Sequence, residues 1–370
     1  MPNWTASMQQ TFEFYIVDPG TWKDMKMLDN VTGCTINRDS EAETLGSATI
    51  DIVESVGECY IRVYLVTIQN GITEKHPLGT FLVQTPSSSF NGKIRNVSMD
   101  AYTPLIELKE KMPPVGYFIP KGSNVMEAAY DKLTDGKEYE RIIRAPVIET
   151  SSEHKLFVDF VADINDTWAK FFGDLLANAD YEFALDEMGR VLFAPKQDAT
   201  ALQPVWTYDD GNSSILYPEL SMDHDLYGIP NVVEVIYSNN NRYYYHIEEN
   251  HDPNSPTSIE NRGRKIIHRV VNPDMNAILG SPDDIGNDRD PLNGQVKDYA
   301  KRLLKELSTI EYTVSYTHGY CPVRVGDCVR LNYAKAGLID VKAKVISQSI
   351  RCEPGCPVSE KAIFTTKLWG

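Results

Sequence analysis

Two histidines near the middle of the chain invite comparison with a zinc peptidase. His246 and His251 bracket two glutamates in the run HIEENH, and they lie five residues apart. In a zinc-peptidase helix the two histidines lie four apart, so both imidazoles share one helix face. Three tyrosines precede His246 and favour a β-strand, where the two rings would not converge on one ion. The segment therefore predicts a solvated strand end.

Four of the six cysteines lie in the C-terminal part of the chain, where four thiolates could hold a zinc ion. They are Cys321, Cys328, Cys352 and Cys356. Zinc sites usually present tighter cysteine pairs than these gaps of six and three residues. We expect buried structural thiols, with one facultative disulfide as a further option, and keep zinc as the alternative. Cys34 and Cys59 fall in strand-like runs and are expected in the core.

An acidic loop offers oxygen ligands suited to calcium, namely Asp283, Asp284, Asn287, Asp288 and Asp290. It lacks the distal glutamate and the central glycine of an EF-hand loop, so an ordinary solvated loop is favoured. The chain has no nucleophile elbow, no phosphate-binding glycine loop and no papain-like cysteine context. His154, His224 and His318 have no partners that the sequence reveals. We therefore predict no catalytic, cofactor-binding or metal-binding residue and no cofactor.

Charge and composition narrow the function classes further. The 370 residues carry a net charge of -16, which argues against nucleic-acid binding because that affinity comes largely from Lys and Arg. The charge suits a passage through which DNA slides without sticking. No stretch approaches the ~20 apolar residues of a membrane span. The first residues do not resemble a secretory signal, so folding in a cytoplasm is expected.

The length predicts two or more domains, and patterning suggests three segments. Residues 1–110 alternate like strands and contain the hairpin dipeptides Asn70-Gly71 and Asn91-Gly92. Residues 111–210 predict a small α/β module, with helices beginning near Ser123 or Asn124 and at Asp166-Thr167, followed by a hairpin. Residues 211–370 predict strands, long loops and one amphipathic helix ending near Leu307.

The C-terminal run resembles the closing segment of phage baseplate and tail-tip hub proteins. The similarity lies in a turn with the pattern Pro, a few residues, Gly-Asp-Xaa-Val, at Pro322, Gly326, Asp327, Val329 and Leu331. The step from Asp100 to Leu105 and the hairpin Asp186 to Gly189 match the same family in order.

The resemblance implies a β-rich α+β fold with two tube-like antiparallel β-barrel domains and an inserted α/β module. It also implies a homotrimeric ring that joins a sixfold tail tube, or distal tail protein, to a threefold spike or tail-tip fibre. The molecule expected to pass through the channel is DNA or tape-measure protein. The expected location is the virion tail, assembled in the host bacterial cytoplasm, with no specific nucleic-acid binding and no membrane insertion.

Two other functions stay open at this point. A receptor- or carbohydrate-binding tail protein gains mild support from the 20 tyrosines and five tryptophans. A tail-tip peptidoglycan hydrolase would need a catalytic constellation that the sequence does not reveal. No lysin, peptidase or fibre domain is recognisable near Gly370, so we expect another chain to supply any digesting activity.

Overall fold

The chain folds into two compact, β-rich units with few helices, which confirms the predicted fold class. The computed structural model describes residues 2–53, 56–90, 92, 95–137, 140–156, 158–196, 201–211, 214–239, 242–271, 273 and 291–368. Unit 1 comprises Met1–Ser221 and Ser315–Ala362, and unit 2 comprises Met222–Val314 and Ile363–Gly370. The division into segments 1–110, 111–210 and 211–370 stays a prediction.

The strands occupy most of the segments that alternate in the sequence. The first nine strands are β1 Gln9–Val17, β2 Asp24–Met27, β3 Val31–Asp39, β4 Gly46–Ile52, β5 Tyr60–Gln69, β6 Ile72–Phe90, β7 Arg95–Tyr102, β8 Phe118–Ile119 and β9 Phe160–Val161. The later strands are β10 Tyr181–Leu185, β11 Val191–Pro195, β12 Trp206–Asp209, β13 Leu216–His224, β14 Val232–Asn239, β15 Arg242–Glu249, β16 Ile267–Val271, β17 Thr309–Gly319, β18 Cys328–Tyr333, β19 Leu338–Arg351 and β20 Pro357–Lys367.

The helices are short apart from the last one. They are α1 Ile106–Glu110, α2 Val125–Thr134, α3 Trp168–Ala177, α4 Ile259–Arg262 and α5 Pro291–Leu307. Among the described helices, none combines the length and the apolar character needed to cross a membrane.

Strands from both ends of the sequence share the largest sheet. Within the described residues its order is β13-β17-β20-β19-β3-β4-β7-β6-β5-β1-β2, and β12 pairs with β18, which pairs with β19. The antiparallel pair β3 and β19 joins the N-terminal and C-terminal strands of unit 1, with Thr35 opposite Arg351 and Asp39 opposite Ser347. Sequence-distant side chains therefore meet across this seam.

The turn and helix-capping residues identified in the sequence form the predicted turn and caps. Asn70 and Gly71 both have positive φ, which is the geometry of a tight primed turn between β5 and β6. Asn124 caps α2 by accepting from the amides of Met126 and Glu127. Thr167 caps α3 in the same way. The predicted hairpin is β10 with β11. Asn91 of the dipeptide Asn91-Gly92 lies outside the described residues.

The α/β part of unit 1 packs around α3. Its apolar face is buried as the periodicity predicts, with Trp168, Phe171, Phe172, Leu175 and Leu176 in one cluster. Leu133 of α2 and Phe193 of β11 belong to the same cluster. The helix and the hairpin therefore form one body with a continuous core.

Unit 2 contains a three-stranded sheet with the order β15-β14-β16. Helix α5 covers one face of it. Val233, Val235 and Tyr244 of the sheet pack there against Val296, Ala300 and Leu304. The amphipathic helix is thus confirmed, and Leu304 belongs to its buried side although the sequence pattern did not single it out.

Candidate functional site

The predicted histidine pair lies at a strand end. His246 is on β15 with Nε2 3.2 Å from Glu248. His251 follows the strand and is exposed, with Nδ1 2.6 Å from Glu260 and Nε2 2.9 Å from Glu249. The hydrogen bonds to Glu260 and Glu249 raise the pKa of His251. Both ring nitrogens are thus occupied by carboxylates, and this is a surface ion-pair cluster.

The cysteines are distributed over two places in unit 1. Cys321 contacts Tyr208, with 3.4 Å between Sγ and the hydroxyl, and Cys328 is buried in β18. The amide of Cys352 donates to the carbonyl of Cys34 at 2.9 Å, so these two residues face each other where β3 and β19 end. Burial raises the pKa of the nearby Cys356 thiol. None of the six cysteines forms a disulfide.

In the described part of the chain, no group of three or more His, Cys, Asp or Glu side chains could hold a metal ion. The acidic segment with Asp283, Asp284, Asn287, Asp288 and Asp290 lies outside the described residues.

A buried carboxylate organises a hydrogen-bond network that includes Gln348, one of the β19 residues at the seam. Glu360 of β20 accepts a hydrogen bond from the Tyr316 hydroxyl and another from Gln348 Nε2 at 2.6 Å. Its Oε2 lies 3.3 Å from His318 Nε2. The Tyr208 hydroxyl lies 3.0 Å from the same His318 nitrogen. We call these five side chains the Glu360 network.

The Glu360 network contradicts the expectation that His318 stands alone. Burial disfavours charge on this imidazole, but hydrogen bonds to Cys321 and Glu360 outweigh it and raise the pKa of His318 to about 10. Burial also raises the pKa values of Tyr208 and Tyr316. His318 is fully buried, so the pair is shielded from solvent and stabilises the seam. Alternation could place Tyr316 beside His318, but nothing in the sequence points to Glu360.

A second buried charge fixes the tip of the hairpin β10–β11. Arg62 of β5 is 1% exposed, pairs with Asp24 at 2.7 Å and donates to the carbonyl of Met188 at 3.1 Å. Trp22 Nε1 donates to the same carbonyl at 2.7 Å. Gly189 has a φ of +72°, and a Cβ there would lie 2.7 Å from that of Thr80. The hairpin tip is therefore seated on the large sheet.

Among the described residues, nothing covers the second face of the unit 2 sheet. Tyr243 and Tyr245 of β15 and Val271 of β16 are 68%, 50% and 60% exposed on the side opposite α5. In the same region Arg269, itself exposed, pairs with the nearly buried Glu234 at 2.6 Å. We call this surface the open face. Its aromatic side chains at alternate positions form a surface that is suited to contact another molecule.

Comparisons with known proteins bear on the fold. No family model and no curated protein matches the sequence. Among solved structures, a tail protein from Neisseria meningitidis MC58 superposes with a TM-score of 0.59 at 12% identity, covering 96% of this chain and 96% of that chain. The 43 kDa tail protein of prophage MuSo2 from Shewanella oneidensis gives 0.58 at 10% identity, covering 95% and 98%.

A chain of the Francisella PdpA-VgrG complex gives a TM-score of 0.54 at 9% identity. It covers 99% of this chain and 54% of that longer chain. The chain therefore has the fold of phage tail proteins along almost its whole length, and the resemblance found in the sequence is confirmed at the level of the fold.

Proposed function

We propose that the chain is a non-enzymatic hub subunit of a phage-type tail or baseplate. The observation that carries this proposal is the fold shared with two tail proteins over at least 95% of this chain and of both relatives. In both cases the match spans almost the whole of the compared chains and not one domain of them. The function is then that of the shared scaffold, which works by docking onto neighbours.

In the proposed assembly three copies form a ring. The ring connects a sixfold tail tube or distal tail protein to a threefold spike or tail-tip fibre, and its channel passes DNA or tape-measure protein into the host. The net charge of -16 supports such a channel, because acidic walls repel the phosphate backbone. Assembly would take place in the host bacterial cytoplasm, and the mature location is the virion tail.

Two surface features support docking as the working principle. Strand β2 lies at one end of the large sheet, and all four of its residues are exposed. Unpaired strand edges are templates for strands of other chains. The open face adds exposed tyrosines, which are enriched at protein interfaces.

A receptor- or carbohydrate-binding role is the second candidate. Tyr243 and Tyr245 on the open face favour it, because tyrosine rings also stack on sugars and on apolar ligands. The two functions differ in what covers this face: a neighbouring tail protein in the first case and a host surface molecule in the second.

The test is the mass of the purified protein in solution, alone and mixed with a candidate tail tube protein or a candidate spike, followed by electron microscopy of the complexes. Rings of three subunits with a central hole support the proposal. A monomer that ignores both neighbours but binds glycans, or cleaves purified peptidoglycan, overturns it.

A further inference from the structure

A groove of about 730 Å³ opens in unit 1 beside the hairpin β10–β11. Four consecutive residues of β10 line it, from Glu182 to Leu185. Successive side chains of a strand point to opposite faces. Both sets line the groove, as do Lys170 and Gly173 of α3, so the groove reaches the edge of the strand as well as one of its faces.

Strand β11 contributes to the same groove from one face only. Leu192 and Ala194 line it, and they stand opposite Ala184 and Glu182 in the ladder. These four side chains therefore form one wall of the groove. The groove covers that face of the hairpin and then wraps around the outer edge of β10.

That outer edge of β10 has no strand beside it in the described part of the chain, where the sheet consists of β10 and β11 alone. The far side of β11 is occupied, because Val191 exchanges backbone hydrogen bonds of 2.8 Å with Pro146 and Ile148. Alternate amides and carbonyls of β10 thus face the groove free to pair. An extended peptide can satisfy them by adding a third strand.

The edge is held in place before any ligand arrives. Met188 at the tip is fixed by Trp22 and Arg62, and Glu187 pairs with Arg324 at 2.6 Å. Arg190 pairs with Asp186 within the turn at 2.6 Å. A rigid edge loses little conformational entropy on binding, which favours affinity.

The groove combines an apolar floor with an acidic rim. Leu45, Leu78, Phe81, Leu105 and Val325 contribute apolar surface. Its volume lies within the ~300 to 1,000 Å³ of ligand pockets. Seven carboxylate residues line it against four basic ones, a difference of three negative charges. The occupant that matches this surface carries apolar side chains inward and Lys or Arg at its ends.

We propose that this groove binds an extended segment of a partner protein, which pairs with β10 as an added strand. The segment has apolar residues at alternate positions and is flanked by basic residues. The proposal rests on the geometry of unit 1 alone and holds whether or not the chain forms a ring.

The test uses the full chain and arrayed synthetic heptapeptides with Lys at both ends, Thr at the third and fifth positions, and Val, Ile, Leu, Phe or Tyr at the second, fourth and sixth. The best binder is remade with Glu at both ends and, separately, with Pro at its centre. Fluorescence anisotropy should show affinity lower by at least about tenfold for each control. Hydrogen exchange should slow at the amides of Tyr181–Leu185.

Gly173 provides a variant that blocks the groove. It lies inside α3 and lines the groove, and a Cβ built on it meets nothing within 4 Å. Gly173→Trp should abolish peptide binding without unfolding the helix, because glycine in a helix interior is itself unfavourable. Gly294→Trp in α5 is the matched control, since that helical glycine also faces open space but lies in unit 2. It should bind like wild type.

A second variant keeps the proposal testable if Gly173→Trp does not fold. Glu182→Lys reverses an exposed charge on β10 and should weaken the Lys-ended peptide while strengthening the Glu-ended one. The proposal is overturned if none of the heptapeptides binds, if protection appears only outside β10, or if Gly173→Trp binds normally. Ring formation in the same preparation would be unaffected by any of these results.

Discussion

The Glu360 network in unit 1 buries polar groups, whereas the open face in unit 2 exposes aromatic and apolar groups. Glu360 is 1% exposed and its oxygens are shared among three side chains, whereas Tyr243 and Tyr245 stand half or more in water. Among the described residues, only Ser308 Oγ and Arg330 Nε are buried side-chain atoms without a partner.

The difference shows which region satisfies its own contacts within the chain and which region offers surface for contacts with another molecule. The seam of unit 1 satisfies its own hydrogen bonds, so changes there should destabilise the folded chain. The open face leaves apolar area in contact with water, and burying that area on another molecule would release free energy. Changes there should alter association and leave folding intact.

The largest effect is expected from Glu360→Ala. Removing this acceptor leaves the donors of Tyr316, His318 and Gln348 without this partner in a buried site that excludes water. The loss should cost about 3 to 5 kcal/mol of unfolding free energy. Urea denaturation followed by tryptophan fluorescence measures it. Glu353→Ala is the matched control, because its pair with Arg351 is half-exposed at 3.5 Å and should contribute below about 1 kcal/mol. Equal losses of unfolding free energy in both variants would contradict the importance assigned to the buried Glu360 network.

The next largest effect is expected from Arg62→Met, which keeps an unbranched apolar side chain but removes the guanidinium group. Asp24 would lose its ion-pair partner and the carbonyl of Met188 would lose one of its two donors, at a cost of about 3 kcal/mol. The hairpin tip should also become sensitive to proteolysis. Arg190→Met removes an ion pair in the same hairpin whose arginine is 47% exposed, and we expect it to cost less than about 1 kcal/mol. A resistant tip in Arg62→Met would show that Trp22 alone holds it.

The pH dependence of unit 1 should report on His318. Its pKa is raised from 6.5 to about 10 in the folded chain, so the stabilisation is fully present below pH 6.5 and is lost as the pH rises towards 10. The slope from this group is at most about 1.4 kcal/mol per pH unit. His318→Gln should flatten the fall in urea midpoint between pH 7 and 10 relative to wild type. Parallel curves would mean that the imidazole stays neutral.

The smallest effect on stability is expected on the open face. Tyr243→Ser with Tyr245→Ser should change unfolding free energy by less than about 0.5 kcal/mol, since both rings are already hydrated. Sedimentation with the tube and spike proteins should instead show weaker complexes. Tyr227→Ser is the control, because this side chain is 91% exposed and lies outside that sheet. A large loss of stability in the double variant would show that the face is part of the fold.

Elements whose signals lie within a few residues were predictable. The five apolar residues of α3 follow helical spacing and all are buried, and Asn124 caps α2 as its position before the helix suggests. The predicted turn is present at Gly326, which has a positive φ, and Val329 and Leu331 after it are buried in β18. Alternation also identified the apolar face of β5.

The same alternation missed what happens on the second face of β5. Tyr60, Arg62, Tyr64 and Val66 alternate onto one face of β5 that mixes polar and apolar side chains. An arginine on such a face is normally solvated, yet Arg62 is almost fully buried. The reason is the hairpin tip at Met188, which lies 126 residues further along and covers it. No pattern within β5 carries that information.

What the sequence determined by itself is most of the strands, the helices α2, α3 and α5, several caps and turns, and a charge that disfavours nucleic acid. These follow from periodicity and from contacts between near neighbours. Tertiary structure alone decided that His318 meets Glu360, 42 residues away, and Tyr208, 110 residues away. It also decided that Cys34 faces Cys352 and that the edge of β10 borders a groove. The physical reason is that the order and register of strands in a sheet determine which distant side chains meet, and both depend on the whole chain folding together.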